Sequence, residues 1–322
     1  MPKLTVIVVN TNTRELTCEC LRSIYENAPS CEFEIIVVDN ASKDGSCEAI
    51  ESRFPAIRLI RNSRNVGFSV GNNQALEVAQ GERLLLLNND TIVLPGSLEA
   101  LLLAMDKDES LGVVAPRLIY PKGMLQMSFG PIPNLFVAFC TFFDLKKLVP
   151  PSVRRVISRS GLSKLAGKAG GGYLSWFSGK TPRTRLVDRD TYVTAACILI
   201  RRDCYEQIGG LDPRFFMYVD DADYSLRVHE GGWRILYLAE ATIVHVKGGT
   251  VGERYRWTCA PAYQSMLYFM KKHRGSWAFR VAKMFAVAAL FGRWAVNLLR
   301  GASKREQYWT LLTDVASYRA PI

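Results

Sequence analysis

Short apolar runs, each stopped by a polar cluster, set the rhythm of the first half of the chain. Leu4 to Val9 is β-branched and breaks at Asn10-Thr11-Asn12-Thr13, and Phe33 to Val38 ends in Asp39-Asn40-Ala41-Ser42. Ile57 to Ile60 is a third run, and the fourth is Leu84-Leu85-Leu86-Leu87, which stops at Asn88-Asn89-Asp90. Four leucines without polar alternation predict a strand buried on both faces, as in a parallel sheet. Between the runs the spacing turns helical. Arg14 to Asn27 repeats through Leu16, Cys20, Leu21, Ile24 and Tyr25, Ser46 to Phe54 follows, and a third helix opens at Asn65-Val66-Gly67-Phe68 and closes at Gly81. This β-α-β-α-β-α-β order predicts an α/β fold with right-handed crossovers.

Ser97 to Asp106 predicts an amphipathic helix and Leu111 to Ala115 a further strand. Regularity fails from Tyr120. Pro131 and Pro133 precede an apolar run with Phe136, Phe139, Phe142 and Phe143, which suits core packing and a lipid- or acceptor-facing role equally. A basic, glycine-rich section through Gly170-Gly171-Gly172 follows, so about 120–190 is expected to be an insertion or flap. Thr191 to Ile200 resumes as one strand, and Trp233–Tyr237 and Ala241–Val246 as two closing strands.

A parallel sheet sets its strand ends side by side, which brings Thr11, Asp39 and Asn88 to Asp90 onto one edge. Ligands of open α/β sheets sit at that edge. A carboxylate there, such as Asp90, suits a hard cation that shares its other ligands with phosphate oxygens and water. With a glycine-containing helix entry between the two carboxylates, a nucleotide site is expected. The spacing is not that of a dinucleotide fingerprint, and no Walker lysine is present. Asp220, Asp221 and Asp223 form a second cluster at a helix start. The helix dipole accounts for one or two of them, at ~0.3–1 kcal/mol each. A half-buried carboxylate among them also suits a general base. His245, inside an apolar strand, becomes a metal ligand only in the company of Asp90.

Composition narrows the classes. Hydrophobic content of 48% and charged content of 22% are those of a globular chain with a sizeable core. The net charge of +11 is unevenly placed: residues 146–189 hold eleven Lys/Arg against Asp188 alone, and residues 271–305 hold nine with no acid. An anionic surface is implied, either membrane or nucleic acid. Neither basic segment carries a reading element or stacking platform, which disfavours nucleic acid. The eight cysteines form no Cys-x-x-Cys pair and read as reduced small hydrophobes. No charged-then-apolar leader and no run of ~20 apolar residues is read, so neither a signal peptide nor a spanning helix is expected. Over 277–300, Arg280, Lys283, Arg293, Asn297 and Arg300 share an arc of roughly 160° opposite Val281, Phe285, Ala288 and Leu299. That pattern predicts a basic amphipathic helix on an anionic membrane surface.

Taken together, Val8-Val9-Asn10-Thr11, Val38-Asp39-Asn40, Asn65-x-Gly67-Phe68, Leu87-Asn88-Asn89-Asp90, Gly209-Gly210-Leu211-Asp212, Asp220-Asp221-Ala222-Asp223, Gly232-Trp233-Arg234 and Ile243-Val244-His245 resemble glycosyltransferase family 2, especially its bacterial rhamnosyltransferase-like members. The resemblance implies a GT-A fold, with a Rossmann-like, mostly parallel central sheet and helices on both faces. It spans a catalytic domain over 1–250, leaving 251–322 as a basic, helical C-terminal segment. It implies an inverting transfer from a nucleoside-diphosphate sugar, dTDP-rhamnose favoured and a UDP-sugar the other choice, to a polyprenyl-linked or envelope glycan acceptor. The site that follows has Thr11, Asp39, Asn65, Asn88 and Asn89 at the nucleotide, and Asp90 and His245 on Mg²⁺ or Mn²⁺. Asp221 is the implied base, supported by Asp220 and Asp223. Asn88 departs from the family's Asp-x-Asp, which leaves the metal preference and even a catalytically idle relative open, and Ala195 stands where relatives often have glycine. The expected location is cytoplasmic, peripheral at the inner face of the cell membrane. No Gln-x-x-Arg-Trp motif of a processive synthase is present.

Overall fold

The computed structural model describes residues 2–145, 183–246, 259–299 and 304–321. The chain divides into two compact units. The first takes its described residues from Met1–Gly130, Thr181–Phe216 and Asp220–Gly252, the second from Pro131–Lys180, Met217–Val219 and Glu253–Ile322. The basic segment at 146–189 and the Gly170–Gly172 run lie outside the described residues, except for 183–189.

In the first unit, β1 (Leu4–Asn10), β2 (Phe33–Asn40), β3 (Arg58–Asn62) and β4 (Arg83–Asn88) run parallel in the order β3-β2-β1-β4. They are connected by α1 (Arg14–Glu26), α2 (Ser46–Arg53) and α3 (Phe68–Leu76). Further along come β5 (Thr91–Val93), α4 (Ser97–Asp106), β6 (Leu111–Ile119), β7 (Leu125–Gln126), β8 (Phe129–Pro131), β9 (Arg185–Leu186) and β10 (Thr191–Val193). β11 (Cys197–Arg201), α6 (Arg202–Ile208), α7 (Asp220–Glu230) and β12 (Arg234–His245) complete the unit. The leucine strand is buried on both sides as its composition requires. Leu85 and Leu87 pack with Val6, Val8, Ile35 and Val37 under α1 and α4, while Leu84 and Leu86 pack with Ile7, Ile36 and Val38 under α3 and α7. At about 1.5–3 kcal/mol per buried Leu, this strand is a principal anchor of both layers.

The sheet continues β4-β11-β6-β12-β5, with β11 antiparallel to β4 and β6, β12 parallel to β6, and β5 antiparallel to β12. The sheet is therefore mixed. Two strand boundaries differ from those expected. Thr191 to Ile200 divides at Thr194–Ala196 into β10, which pairs with β8 in a separate ribbon, and β11, which enters the main sheet. The two expected closing strands are one strand, β12, because the irregularity between Leu238 and Thr242 is absorbed as a register shift against β6. Cys18, Cys20, Cys31, Cys47, Cys197 and Cys204 are free thiols, and burial pushes the Cys20 thiol up to about 12.

The second unit holds α5 (Leu135–Phe142), α8 (Ala260–Leu299) and α9 (Arg305–Ser317). Helical geometry in α8 is broken at Gly275, whose φ of 84° suits glycine. Phe142 is fully buried and stacks on Tyr263 with ring centroids 5.2 Å apart, whereas Phe136 is exposed. The phenylalanine stripe thus splits between packing and surface. The expected basic outward arc of α8 holds for the exposed Arg280, while Arg300 lies outside the described residues and Lys283 and Arg293 correct it by their contacts. Arg293 donates to the Tyr263 hydroxyl (2.6 Å) and the Phe142 carbonyl (2.5 Å), and Lys283 donates to the Tyr318 carbonyl (2.9 Å). These cations face inward because α5, α8 and the C-terminal segment present carbonyls and a hydroxyl that need donors. The outward stripe is instead Trp277, Met284, Phe291 and Leu298 at seven-residue spacing, with exposures of 70%, 59%, 53% and 44%. By length and composition alone α8 is also apolar enough to cross a membrane, since an 18-residue stretch of it carries few charges.

Candidate active site

The carboxyl ends of the parallel strands meet in register, with Val9 opposite Asn88, Asn10 opposite Asp39, and Asn40 opposite Asn62. Each strand ends in an amide or carboxylate, so their side chains bond laterally. Asp39, 2% exposed, accepts from Asn10 Nδ2 (2.7 Å) with one oxygen and from the Ser42 N–H (2.9 Å) with the other. The loop after β1 locks onto the loop after β2. Lys43 N–H donates to Asn12 Oδ1 (2.7 Å), Arg14 N–H to Asp44 Oδ2 (2.8 Å) and Asn12 N–H to Ser42 Oγ (2.8 Å). Thr11 sits half-buried in this interlocked turn.

Two expected nucleotide residues make bonds within the loops. Asn65 Oδ1 accepts the Gly67 N–H (2.9 Å), an Asx-turn that opens α3, and Asn40 Nδ2 holds the Gly67 carbonyl (3.2 Å) from below. Asn89 is 4% exposed and turns its amide into the β1–α1 junction, donating to Thr13 Oγ1 (2.5 Å), Thr17 Oγ1 (3.1 Å) and Asn10 Oδ1 (3.2 Å). The reason is that Asn10, Thr13 and Thr17 leave buried acceptors there.

Asp90 and His245 come together. The first three residue pairs of β5 and β12, ending at Thr91 opposite His245, bring His245 Nε2 to 3.1 Å from Asp90 Oδ1. The Val246 N–H donates to the Asp90 carbonyl (2.8 Å) and fixes this junction. Asn88 Nδ2 lies 3.4 Å from the same imidazole nitrogen, from 157 residues away in sequence. On its other side, His245 Nδ1 is 2.6 Å from Gln126 Oε1. The residues fit a divalent cation. A carboxylate oxygen and an imidazole nitrogen held 3.1 Å apart are ligand types that suit Mg²⁺ or Mn²⁺. Among the described residues no three His, Cys, Asp or Glu converge, so the fit is to an ion that leaves positions for substrate phosphate and water.

The three acids of α7 differ in setting. Asp223 is fully buried and paired with Arg227 Nε at 2.9 Å, one helical turn on. Arg227 also donates to the Ile208 (2.8 Å) and Gly210 (2.7 Å) carbonyls, and Asn73 clamps Leu211 through its N–H (2.9 Å) and carbonyl (2.7 Å). Asp223 therefore anchors the Gly209–Leu211 loop through Arg227. Asp220 is 6% exposed, while Asp221 is the most open of the three and accepts from the Ala222 N–H (2.9 Å). Just before them Tyr218 and Val219 take φ of 64° and 66°, a costly conformation for a β-branched residue that turns the chain into α7. Ala195 and Ala196 are buried beside β4, and the Ala196 carbonyl accepts the Asn88 N–H (2.9 Å). Asn10, Asn40, Asn73, Arg227 and Gln126 are the site-building residues that pattern reading did not single out for such a role. Asn10, at the break of the first apolar run, was the most accessible of them.

Comparison with known proteins agrees with this architecture. The profile described as "Glycosyl transferase family 2" matches residues 5–209, and "Glycosyltransferase like family 2" matches 162–260. The N-acetylglucosaminyl-diphospho-decaprenol L-rhamnosyltransferase of Mycobacterium tuberculosis is 26% identical over 264 residues, covering 76% of each chain. The O-antigen biosynthesis protein RfbC of Myxococcus xanthus is 26% identical over 83% of this chain and 19% of its own length. Among solved structures, the mannosyltransferase PcManGT of Pyrobaculum calidifontis, in complex with GDP-Man and Mn²⁺, superposes with a TM-score of 0.56 at 19% identity, covering 98% of this chain and 84% of its own. The fold is GT-A, and with the profile spanning most of the sheet and its strand-end residues, this chain belongs to glycosyltransferase family 2 and resembles its rhamnosyltransferase members.

Proposed function

We propose that the chain is an inverting, metal-dependent glycosyltransferase. It moves a sugar, rhamnose from dTDP-rhamnose first and a UDP-linked sugar second, onto a polyprenyl-linked envelope glycan. The observation that carries the reading is the meeting of Asp90 and His245 at the carboxyl edge of the sheet. The choice of sugar and acceptor is supported by the rhamnosyltransferase relative, whose name gives a lipid diphosphate carrying N-acetylglucosamine.

Asp90 and His245 would hold the divalent cation, which supplies positive charge against the diphosphate leaving group. Thr11 and the Asp39 loop border the position for base and ribose. Asp221 takes the proton from the acceptor hydroxyl as that oxygen bonds to the anomeric carbon and the bond to diphosphate breaks. One displacement inverts the centre. Asp220 and Asp223 support Asp221, Asp223 by anchoring the Gly209–Leu211 loop through Arg227.

Thermal-shift measurements with UDP, dTDP, GDP and CDP, each with and without Mn²⁺ or Mg²⁺, test the donor side. A ligand at a hundredfold excess over its dissociation constant adds ~2.7 kcal/mol of apparent stability. A shift with dTDP that grows with metal is expected, and silence with every nucleotide would overturn the reading. The site of action is the inner face of the cell membrane, supported by the exposed Trp277, Met284, Phe291 and Leu298 stripe of α8. Because the stripe is apolar, flotation with neutral liposomes should persist, with anionic lipid adding to it. Absence of flotation with either lipid counts against the membrane role.

A further inference from the structure

We propose that Gln126 is a positioning residue that sets the tautomer of His245 and thereby its capacity to bind a metal; the inference rests on reading Asp90 and His245 as a cation site. Gln126 is 4% exposed, on the two-residue strand β7, where it pairs with Leu118 of β6. On its other edge β6 pairs with β12, Leu118 opposite Ile243 and Ile119 opposite Val244. β6 therefore stands between the glutamine and the histidine strand, and the side chain crosses it to reach the ring. The hairpin is pinned at both ends, by the Tyr120 N–H on the Met124 carbonyl (2.8 Å) and the Leu118 N–H on Ser128 Oγ (3.0 Å).

A neutral imidazole carries one N–H. With Gln126 Oε1 at 2.6 Å from Nδ1, that hydrogen sits on Nδ1 and donates to the amide oxygen. Nε2 then turns its lone pair toward Asp90 Oδ1 (3.1 Å), two acceptors facing each other in a way that a cation between them makes favourable, while Asn88 Nδ2 lies 3.4 Å away. The opposite amide orientation would donate into Nδ1, move the hydrogen to Nε2 and close the ligand position with a bond to Asp90. Asn88 Nδ2 is itself a donor, which suits a lone pair on Nε2. The arrangement has a cost: Gln126 Nε2 is buried with no hydrogen-bond partner among the described residues. A pairing kept at that cost, and linked to a ligand nitrogen, is the usual form of an outer contact that orients a metal-binding histidine.

The test uses the full chain with Mn²⁺ and dTDP, Mn²⁺ binding being followed by electron paramagnetic resonance and folding by thermal unfolding. Gln126→Met keeps the volume without the acceptor and should weaken Mn²⁺ binding about tenfold to a hundredfold. Gln126→Glu keeps an acceptor for Nδ1–H and should bind within about threefold of wild type or tighter. The ¹⁵N spectrum of wild type, with only three histidines and a His245→Gln control, should show the Nδ1–H tautomer for His245. An Nε2–H tautomer overturns the proposal. So does wild-type Mn²⁺ affinity in Gln126→Met. If Gln126→Met fails to fold, the wild-type spectrum decides alone. Asp90→Ala and His245→Ala separate the two levels: if neither changes Mn²⁺ binding, the cation site itself fails, whereas loss in both with Gln126→Met intact removes only the role of Gln126.

Discussion

Gly67→Ala is the substitution whose consequences are most fully determined by geometry. Gly67 has φ 86° and ψ 177°, a region open almost only to glycine. Forcing alanine there costs ~1–3 kcal/mol. The added Cβ would also lie 2.6 Å from the Phe216 carbonyl oxygen and 2.8 Å from its ring. That oxygen accepts the Phe68 N–H at 2.8 Å, the bond that holds the start of α3 against the chain approaching the α7 acids. Its displacement adds the loss of a hydrogen bond, ~1 kcal/mol. The total is roughly 2–4 kcal/mol, read by urea unfolding. Gly96→Ala is the matched control, because Gly96 also has positive φ (73°) but nothing within 4 Å of an added Cβ. It should lose only ~1–2 kcal/mol. Because Phe216 leads toward Asp220 and Asp221, the folded fraction of Gly67→Ala should also show at least a tenfold lower kcat/KM, with Gly96→Ala near wild type. Equal stability loss in the two variants would refute the close-approach argument.

Further outcomes follow from the site and its supports. Asp221→Asn should abolish transfer through loss of the base while leaving donor binding within about threefold; turnover above about a tenth of wild type would refute that role. Arg227→Met removes the cation paired with the fully buried Asp223 and should cost about 3–5 kcal/mol in urea unfolding, with only the charge part of the loss recovered in the Asp223→Asn/Arg227→Met double variant, because the Ile208 and Gly210 carbonyls still lack their donor. Asn88→Asp adds a carboxylate beside Asp90 and should tighten Mn²⁺ binding about tenfold in an electron paramagnetic resonance titration; weaker binding would contradict the cation site. Burial, reinforced by Arg189, holds the His229 imidazole below its ordinary range. The unfolded chain then takes up a proton that the folded chain refuses, so stability declines as pH falls through the ordinary histidine value of ~6.5 and levels off below the depressed one. His229→Asn should flatten that decline in unfolding measured across this window.

The parts legible without coordinates were those written into neighbouring residues. A strand buried on both faces needs consecutive apolar side chains, so Leu84–Leu87 announced β4, and an abrupt change to Asn-Asn-Asp announced its end. The β-α order of the first ninety or so residues then fixed which ends share an edge, and Asp39 and Asp90 could be put there in advance. The acids at 220–223 were equally visible, since their company at a helix start exceeds what the dipole accounts for.

Tertiary structure decided what depends on partners distant in the chain. No local signal says that β11 enters antiparallel between β4 and β6, or that β12 runs unbroken through a register shift to bring His245 to Asp90. Asn89 and Asn65 were expected at the nucleotide, and only packing shows the Asn89 amide donating to Thr13 and Thr17 and the Asn65 oxygen accepting from the Gly67 N–H. On α8 a helical wheel assigns Lys283 and Arg293 to an outward face, whereas carbonyls of the Tyr318 segment and α5 draw both inward. Gln126 carries no periodic signal at all, since a two-residue strand has no pattern to read. The physical reason is common to these cases. Hydrophobic periodicity is a property of one segment, but a buried polar group is oriented by whichever donor or acceptor the fold brings beside it.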